Sequence, residues 1–239
     1  MHDDLNPIVE LRHDRPHQIL GPQRLADDQE MVIRAFIPDA AEIGVFIKRP
    51  SKKIVNMQKV HPDGLFEARM AIEDARGGLD YVFRVTDRNN RRSARRDAYQ
   101  FKPADLDGDE EARFLAGEQC FLFRRLGARC TTRGDTAGVC FGVWAPNAQR
   151  VSVVGTFNRW DGRCHPMQRI SASGVWELFI PDVKDGDFYK FELLTPTGEV
   201  FMKTDPYAFR IEDAAEAAAI VCNLEQVHRW QDAEWKQQI

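Results

Sequence analysis

The residues of this chain best placed to do chemistry sit in one short turn. Phe157-Asn158-Arg159-Trp160-Asp161-Gly162 directly follows the apolar run VSVVG. An indole can lay its face on the C–H face of a sugar ring, and Asn and Lys side chains can bond its hydroxyls, so the turn reads as a glycan platform. A plainer reading fits the same residues: Trp160 folds back over the edge of its domain and Asn158 bonds its own backbone. Both readings stand on the sequence.

Catalytic and metal-binding patterns are missing elsewhere. His13 and His17 are four apart, but Pro16 between them spoils the helix that would align them as ligands. The run Asp105, Asp107, Asp109, Glu110 and Glu111 lacks the alternating ligands, central glycine and terminal Glu of a calcium loop, and reads as a solvated linker. There is no G-x-S-x-G, P-loop or glycine-rich dinucleotide turn. No catalytic residue, metal or cofactor is expected. Arg88, Arg91, Arg92, Arg95 and Arg96 flank Asn89-Asn90, a predicted hairpin tip. They read as a charged turn offset by nearby acids, with contact to an anionic partner as the alternative.

Composition narrows the class further. Over 239 residues the chain is 43% hydrophobic and 29% charged with formal net charge −4, an ordinary soluble balance without a nucleic-acid signature. Five cysteines, odd in number and never spaced as CxxC, indicate neither a disulfide framework nor a zinc site. That usage suits a reduced, cytoplasmic setting. The N-terminus has no signal-peptide pattern, and no run approaches the roughly 20 apolar residues that span a bilayer. No membrane partner is expected.

The elements that must position the turn announce themselves by repetition. VIRAFIPDAAEIGVF at 32–46 returns at low fidelity as CFGVWAPNAQRVSVV at 140–154. At the same offset of 108, Tyr81 matches Tyr189, Phe83 matches Phe191, and Asp97-Ala98-Tyr99-Gln100-Phe101 matches Asp205-Pro206-Tyr207-Ala208-Phe209. Gly64-Leu65-Phe66-Glu67 pairs with Gly174-Val175-Trp176-Glu177 after a two-residue slip. Apolar residues alternate at Phe66, Ala68, Met70 and at Tyr81, Phe83, Val85, and again at Trp176, Leu178, Ile180 and at Tyr189, Phe191, Leu193. Short alternating strands with turn signals predict an all-β chain of two tandem immunoglobulin-like β-sandwiches, each with its own core. Trp144 and Trp176 are expected in the core. The predicted organisation is a sandwich over 1–105, a helical connector over 106–135, a second sandwich over 136–222, and a tail over 223–239. Glu212 to Ala219 reads as helical, and Trp230 and Trp235 in the tail call for a cover.

Set together, FGVWAPNAQRVSVVGTFNRWDGRCHPM, GVWELFIP, YKFEL and KTDPYAF resemble the N-terminal half of a bacterial glycogen branching enzyme. The second sandwich resembles that family's family 48 carbohydrate-binding module, and the first resembles the extra sandwich that some members carry before it. FLAGEQCFLFRRLGAR resembles the family's connector, with Arg129 where a His is expected, and Trp230 to Trp235 resembles the W-x-D-x-x-W segment before the catalytic barrel. The resemblance implies that the chain stops at Ile239, short of the barrel that makes α-1,6 branches, and is inactive alone. It implies glucan contacts at Trp160 and Lys190, with Phe201 as the nearest match to a further aromatic and Asn158 in the turn. Thr156 stands where the family usually has Asp. The implied partners are an α-glucan, glycogen or maltooligosaccharide, and a separate catalytic barrel; a stand-alone glycogen-tethering module and a purely structural pair of sandwiches are the alternatives.

Overall fold

The computed structural model describes residues 5–25, 29–50, 52–75, 79–103, 105–118 and 122–224. After α1 (Asn6–Val9), the first half forms β1 (Gly21–Arg24), β2 (Glu30–Phe36), β3 (Ala40–Arg49), β4 (Lys53–Asn56), β5 (Gln58–His61), β6 (Leu65–Ala71), β7 (Asp80–Asp87) and β8 (Arg92–Arg95). These pair as two sheets, β1-β2-β6-β5 and β4-β3-β7-β8. Beyond α2 (Gly108–Leu115), the second half forms β9 (Gly127–Arg133), β10 (Thr136–Trp144), β11 (Arg150–Gly155), β12 (Gln168–Arg169), β13 (Val175–Pro181), β14 (Phe188–Leu194), β15 (Val200–Lys203), β16 (Arg210–Ile211) and β17 (Ala219–Ile220). Its sheet β9-β10-β13-β12 repeats the first strand order, and its other sheet runs β11-β14-β17-β16 with β15 also on β14. Every named strand pair is antiparallel. The chain is all-β in two sandwiches.

The repeat is physical as well as textual. In the first sandwich the Tyr81 hydroxyl donates to Asp97 Oδ2 at 2.5 Å while Tyr99 N donates to Asp97 Oδ1 at 2.9 Å. In the second, Tyr189 donates to Asp205 Oδ2 at 2.5 Å and Tyr207 N to Asp205 Oδ1 at 2.8 Å. Each carboxylate pins the segment leaving its sandwich to a core strand. Gly64 and Gly174 match too: both have positive φ, and a Cβ on either would lie 2.6 Å from Pro38 Cα or 2.2 Å from Pro146 Cα. Only glycine tolerates that backbone and that approach.

The structure corrects four sequence expectations. Gly127–Arg133, read as the end of the connector, is β9, which pairs with β10 as β1 pairs with β2. The signal was present as Leu20-Gly21 against Leu126-Gly127, where each glycine has positive φ and faces the carbonyl of Tyr99 or Tyr207. Glu212 to Ala218 is the turn of the β16–β17 hairpin rather than a helix, and Ala219 opens β17, which completes an edge of β14. Trp144 is 53% exposed, its Nε1 donating to Ser173 O, whereas Trp176 is fully buried as expected. The acidic run is the start of α2: Asp107 accepts from Glu110 N at 2.7 Å, and Asp109, Glu110 and Glu111 occupy the first turn, where the helix dipole favours negative charge. Cys120, Trp230 and Trp235 lie outside the described residues.

The two cores differ in reach. Ile33, Val45, Phe66, Tyr81 and Phe83 belong to a core confined to the first sandwich. The second core, around Phe141, Trp176 and Phe191, continues without a break into Ile8, Leu20, Phe36, Leu65 and Tyr99 of the first half. At that junction Tyr99 donates to Pro166 O at 3.0 Å, and the rings of Phe101 and Phe179 meet edge-on at 5.0 Å. An interface this apolar holds the sandwiches as one unit.

Burial raises Asp97 to about 6, partly offset by the Tyr81 hydroxyl and the Tyr99 amide. A carboxyl whose folded pKa is raised stabilises the fold fully below its unfolded pKa near 4 and loses that contribution as pH climbs through 6. Asp97→Asn keeps an acceptor for Tyr99 N and carries no buried charge. Relative to wild type it should gain up to about 3 kcal/mol between pH 4 and pH 6 and no more above. Urea midpoints across that range check this; a variant that loses ground as pH rises contradicts it.

Candidate carbohydrate-binding site

The turn after β11 departs from its counterpart in the first sandwich. There β3 runs on through Ile47-Lys48-Arg49 and is paired by β4. In the second sandwich that edge is taken by an irregular loop, whose backbone meets β11 through the Ser152–Pro166 bridge and the bonds Val153 N to His165 O and Met167 N to Val151 O. A loop freed from strand pairing can hold side chains out.

Asn158 sets its shape. Oδ1 accepts from Gly155 N at 2.8 Å, while Nδ2 donates to Val153 O at 2.8 Å and lies 2.9 Å from His165 Nδ1. The contact to Nδ2 makes His165 Nδ1 an acceptor, and burial, with Arg95 nearby, lowers this histidine to about 4, so its ring is neutral. With both amide hydrogens and its oxygen engaged, and the residue 8% exposed, Asn158 holds the loop and does not face a ligand. Arg159 and Trp160 then take positive φ, 57° and 62°, and Trp160 N returns to Gly155 O at 3.0 Å. Two consecutive left-handed residues without glycine persist only where their surroundings impose them. The outcome is a Trp160 residue 37% exposed.

A buried arginine fastens the other end. Arg150, 2% exposed, donates to Ser152 Oγ at 2.5 Å and to Glu192 Oε1 at 2.8 Å, and Gly162 lies so close that a Cβ would meet the Glu192 carboxylate. Sequence reasoning passed over Arg150 and Glu192. The available signal was one arginine opening a strand that is otherwise uncharged.

Strand alternation decides which candidates meet. Lys190 and Glu192 share one face of β14, and Gly162 of the Trp160 loop sits against the Glu192 carboxylate on that face. Among the described residues Lys190 Nζ donates to Glu216 O at 2.8 Å. Phe201 is paired with Leu193 and therefore lies on the opposite face; Met202, paired with Glu192, is the exposed apolar residue beside Lys190. The loop also meets the first sandwich, where Asp39 takes a two-pronged bond from Arg95 at 3.0 and 2.8 Å and lies 3.4 Å from Arg159. A cavity of about 450 Å³ separates them, lined by Phe36, Asp39, Arg95, Phe157, Arg159 and His165. Among the described residues no cluster of three His, Cys, Asp or Glu side chains could hold a metal, and no helix is long and apolar enough to cross a membrane.

The fold is thus a pair of related β-sandwiches whose first sheets share one strand order, the second carrying an anchored tryptophan turn. Sequence comparison makes this specific. Residues 125–208 match the family described as carbohydrate-binding module 48 (isoamylase N-terminal domain), and residues 1–99 match the alpha-1,4-glucan branching enzyme GlgB N-terminal domain. In these two domains the chain is similar to the N-terminal region of the GlgB family. Curated relatives are 1,4-alpha-glucan branching enzymes GlgB of Gloeobacter violaceus, 40% identical over 97% of this chain and 32% of the relative, and of Rhodospirillum rubrum, 39% identical over 95% and 31%. The chain thus spans about a third of their length. A solved pullulanase from Anoxybacillus sp. LM18-11 overlaps 84% of this chain and 27% of its own at 15% identity and TM-score 0.37, too slight a likeness to argue from.

Truncating Asn158 to Ala leaves Gly155 N–H and Val153 C=O without their partner, at roughly 1–3 kcal/mol per stranded group. Asn158→Asp keeps the volume but sets an oxygen against the Val153 carbonyl, and should be no better. Denaturant midpoints test both; wild-type stability for Asn158→Asp contradicts the assigned bonds.

Proposed function

We propose that this chain is a non-catalytic, α-glucan-binding and barrel-docking N-terminal part of a cytoplasmic glycogen branching enzyme. The full-length enzyme would move α-1,4-glucan segments onto 6-hydroxyls to make α-1,6 branches. Support comes from the two family matches and from relatives whose names carry that activity. The observation that carries the binding role is Trp160, an exposed residue held by a buried, fully bonded Asn158. Its ring offers a sugar an apolar face, Lys190 supplies an ammonium donor, and Met202 extends the apolar surface. Glycogen or a maltooligosaccharide fits such an open platform. The turn that Thr156 begins is held by Asp187, whose Oδ1 accepts from Thr156 Oγ1 at 3.2 Å, and by Thr156 Oγ1, which accepts from Phe188 N at 3.3 Å.

A second reading is a stand-alone module that tethers a partner to glycogen. The unbroken apolar junction between the sandwiches supports it, since it holds the pair together without further domains.

Co-sedimentation with glycogen tests the site. Trp160→Ala should bind at least about fivefold more weakly, the scale of one lost aromatic contact, with its melting temperature kept. Equal binding by a folded Trp160→Ala removes Trp160 from the site.

A further inference from the structure

Both sandwiches build the cavity of about 450 Å³ at their junction. Phe36, Ala98 and Ile180 line it as buried apolar residues, whereas Ser93, Arg159 and Asp182 are exposed, so it opens to solvent on their side. Its volume falls within the roughly 300–1,000 Å³ of small-molecule sites. Two ion pairs cross the junction beside it, Arg159 with Asp39 and Arg96 with Asp182, each at 3.4 Å.

The charges in its walls cancel. Arg95, Arg96 and Arg159 stand against Asp39, Asp97 and Asp182. Asp39 takes both prongs of Arg95, and that hydrogen bonding holds its carboxyl below the usual range against the opposing effect of burial. His165 is a neutral ring, and burial pushes the Cys164 thiol up to about 12, so it stays protonated. An anion entering here would find each guanidinium already opposed by a carboxyl. The walls suit a neutral guest.

They also offer both kinds of hydrogen-bonding partner. With His165 Nδ1 engaged by Asn158, the ring carries its proton on Nε2, which meets no acceptor among the described residues. The Arg95 guanidinium has five N–H donors and gives two to Asp39. Asp39 and Asp182 accept, and Phe157 adds a half-buried ring. Donors and acceptors beside an aromatic ring match a molecule whose hydroxyls do both and whose C–H face is apolar, which describes a sugar.

We propose that the junction cavity is a second carbohydrate subsite, separate from the Trp160 platform, that takes the end of an α-glucan chain. A hollow with one open side admits a chain end and excludes its middle. Phe157 and Trp160 belong to one turn, which thus carries an indole for the outer platform and a phenyl ring for the cavity. The inference rests on the proposed α-glucan reading for the identity of the sugar.

Titrating the 239-residue chain with maltotriose, followed by nuclear magnetic resonance, tests it. The Arg95 Nε–H and His165 ring C–H signals should move saturably, whereas inorganic phosphate should leave them fixed. Ser93→Phe sets a ring in the open side of the cavity and should weaken these responses at least tenfold while the Trp160 indole still responds. Asp39→Asn keeps the volume but removes a charged acceptor, and should weaken them about tenfold; it decides if Ser93→Phe misfolds. Cavity signals that stay fixed while Trp160 moves would overturn the subsite and leave the platform standing. Cavity signals that move while Trp160 stays fixed would support the subsite and remove the platform, and a titration that moves neither removes both. Cavity responses unchanged in the two variants, or an Arg95 signal that answers phosphate and not maltotriose, would also overturn the proposal.

Discussion

One buried amide governs what this chain displays. Asn158 takes a hydrogen bond from Gly155 N and gives two, to Val153 O and His165 Nδ1, leaving nothing for solvent. A side chain so spent is a piece of backbone in effect, replacing the strand pairing that β4 provides to β3 in the first sandwich. The cost of two left-handed residues, Arg159 and Trp160, is offset by that network and by the Arg150–Glu192 pair beneath it. The indole is therefore presented by a stiff loop. Preorganisation of this kind spares a ligand the ordering cost that weakens binding to mobile loops.

The same comparison shows what the two sandwiches share and where they part. Both sandwiches keep the Tyr–Asp bond, the glycine against proline, and the sheet order of their first layers. They differ at the edge strand after β3 or β11, and at the added β16–β17 hairpin. Parts that close each core are duplicated, whereas parts that face outward have diverged. The first sandwich meets the Trp160 loop through Asp39 near Arg159 and shares the core around Tyr99.

Much of this was legible in the sequence, and the failures have physical causes. Period-two alternation exposed the long core strands, and the common offset matched Tyr81 with Tyr189 and Asp97 with Asp205, although the bond joining each pair emerged only in the structure. The first strand of the second sandwich was missed because β9 reads GARCTTR, with only one face apolar at one end. Trp144 was misplaced because alternation assigns a face without saying whether that face is covered. Asn158 was legible as a turn residue, yet its full engagement depends on His165, seven residues on. Phe201 lay one residue from Met202 in an ambiguous segment, and a one-residue choice in a strand selects the opposite face.

The central claim is that the second sandwich meets an α-glucan through Trp160. Indole N–H resonances report it directly, because each of the five tryptophans gives one signal and Trp176, whose Nε1 donates to buried Ala145 O at 3.0 Å, serves as an internal reference. During titration with maltoheptaose the Trp160 signal should move saturably while that of Trp176 stays fixed. A Trp160 resonance that stays fixed throughout the titration would contradict the account.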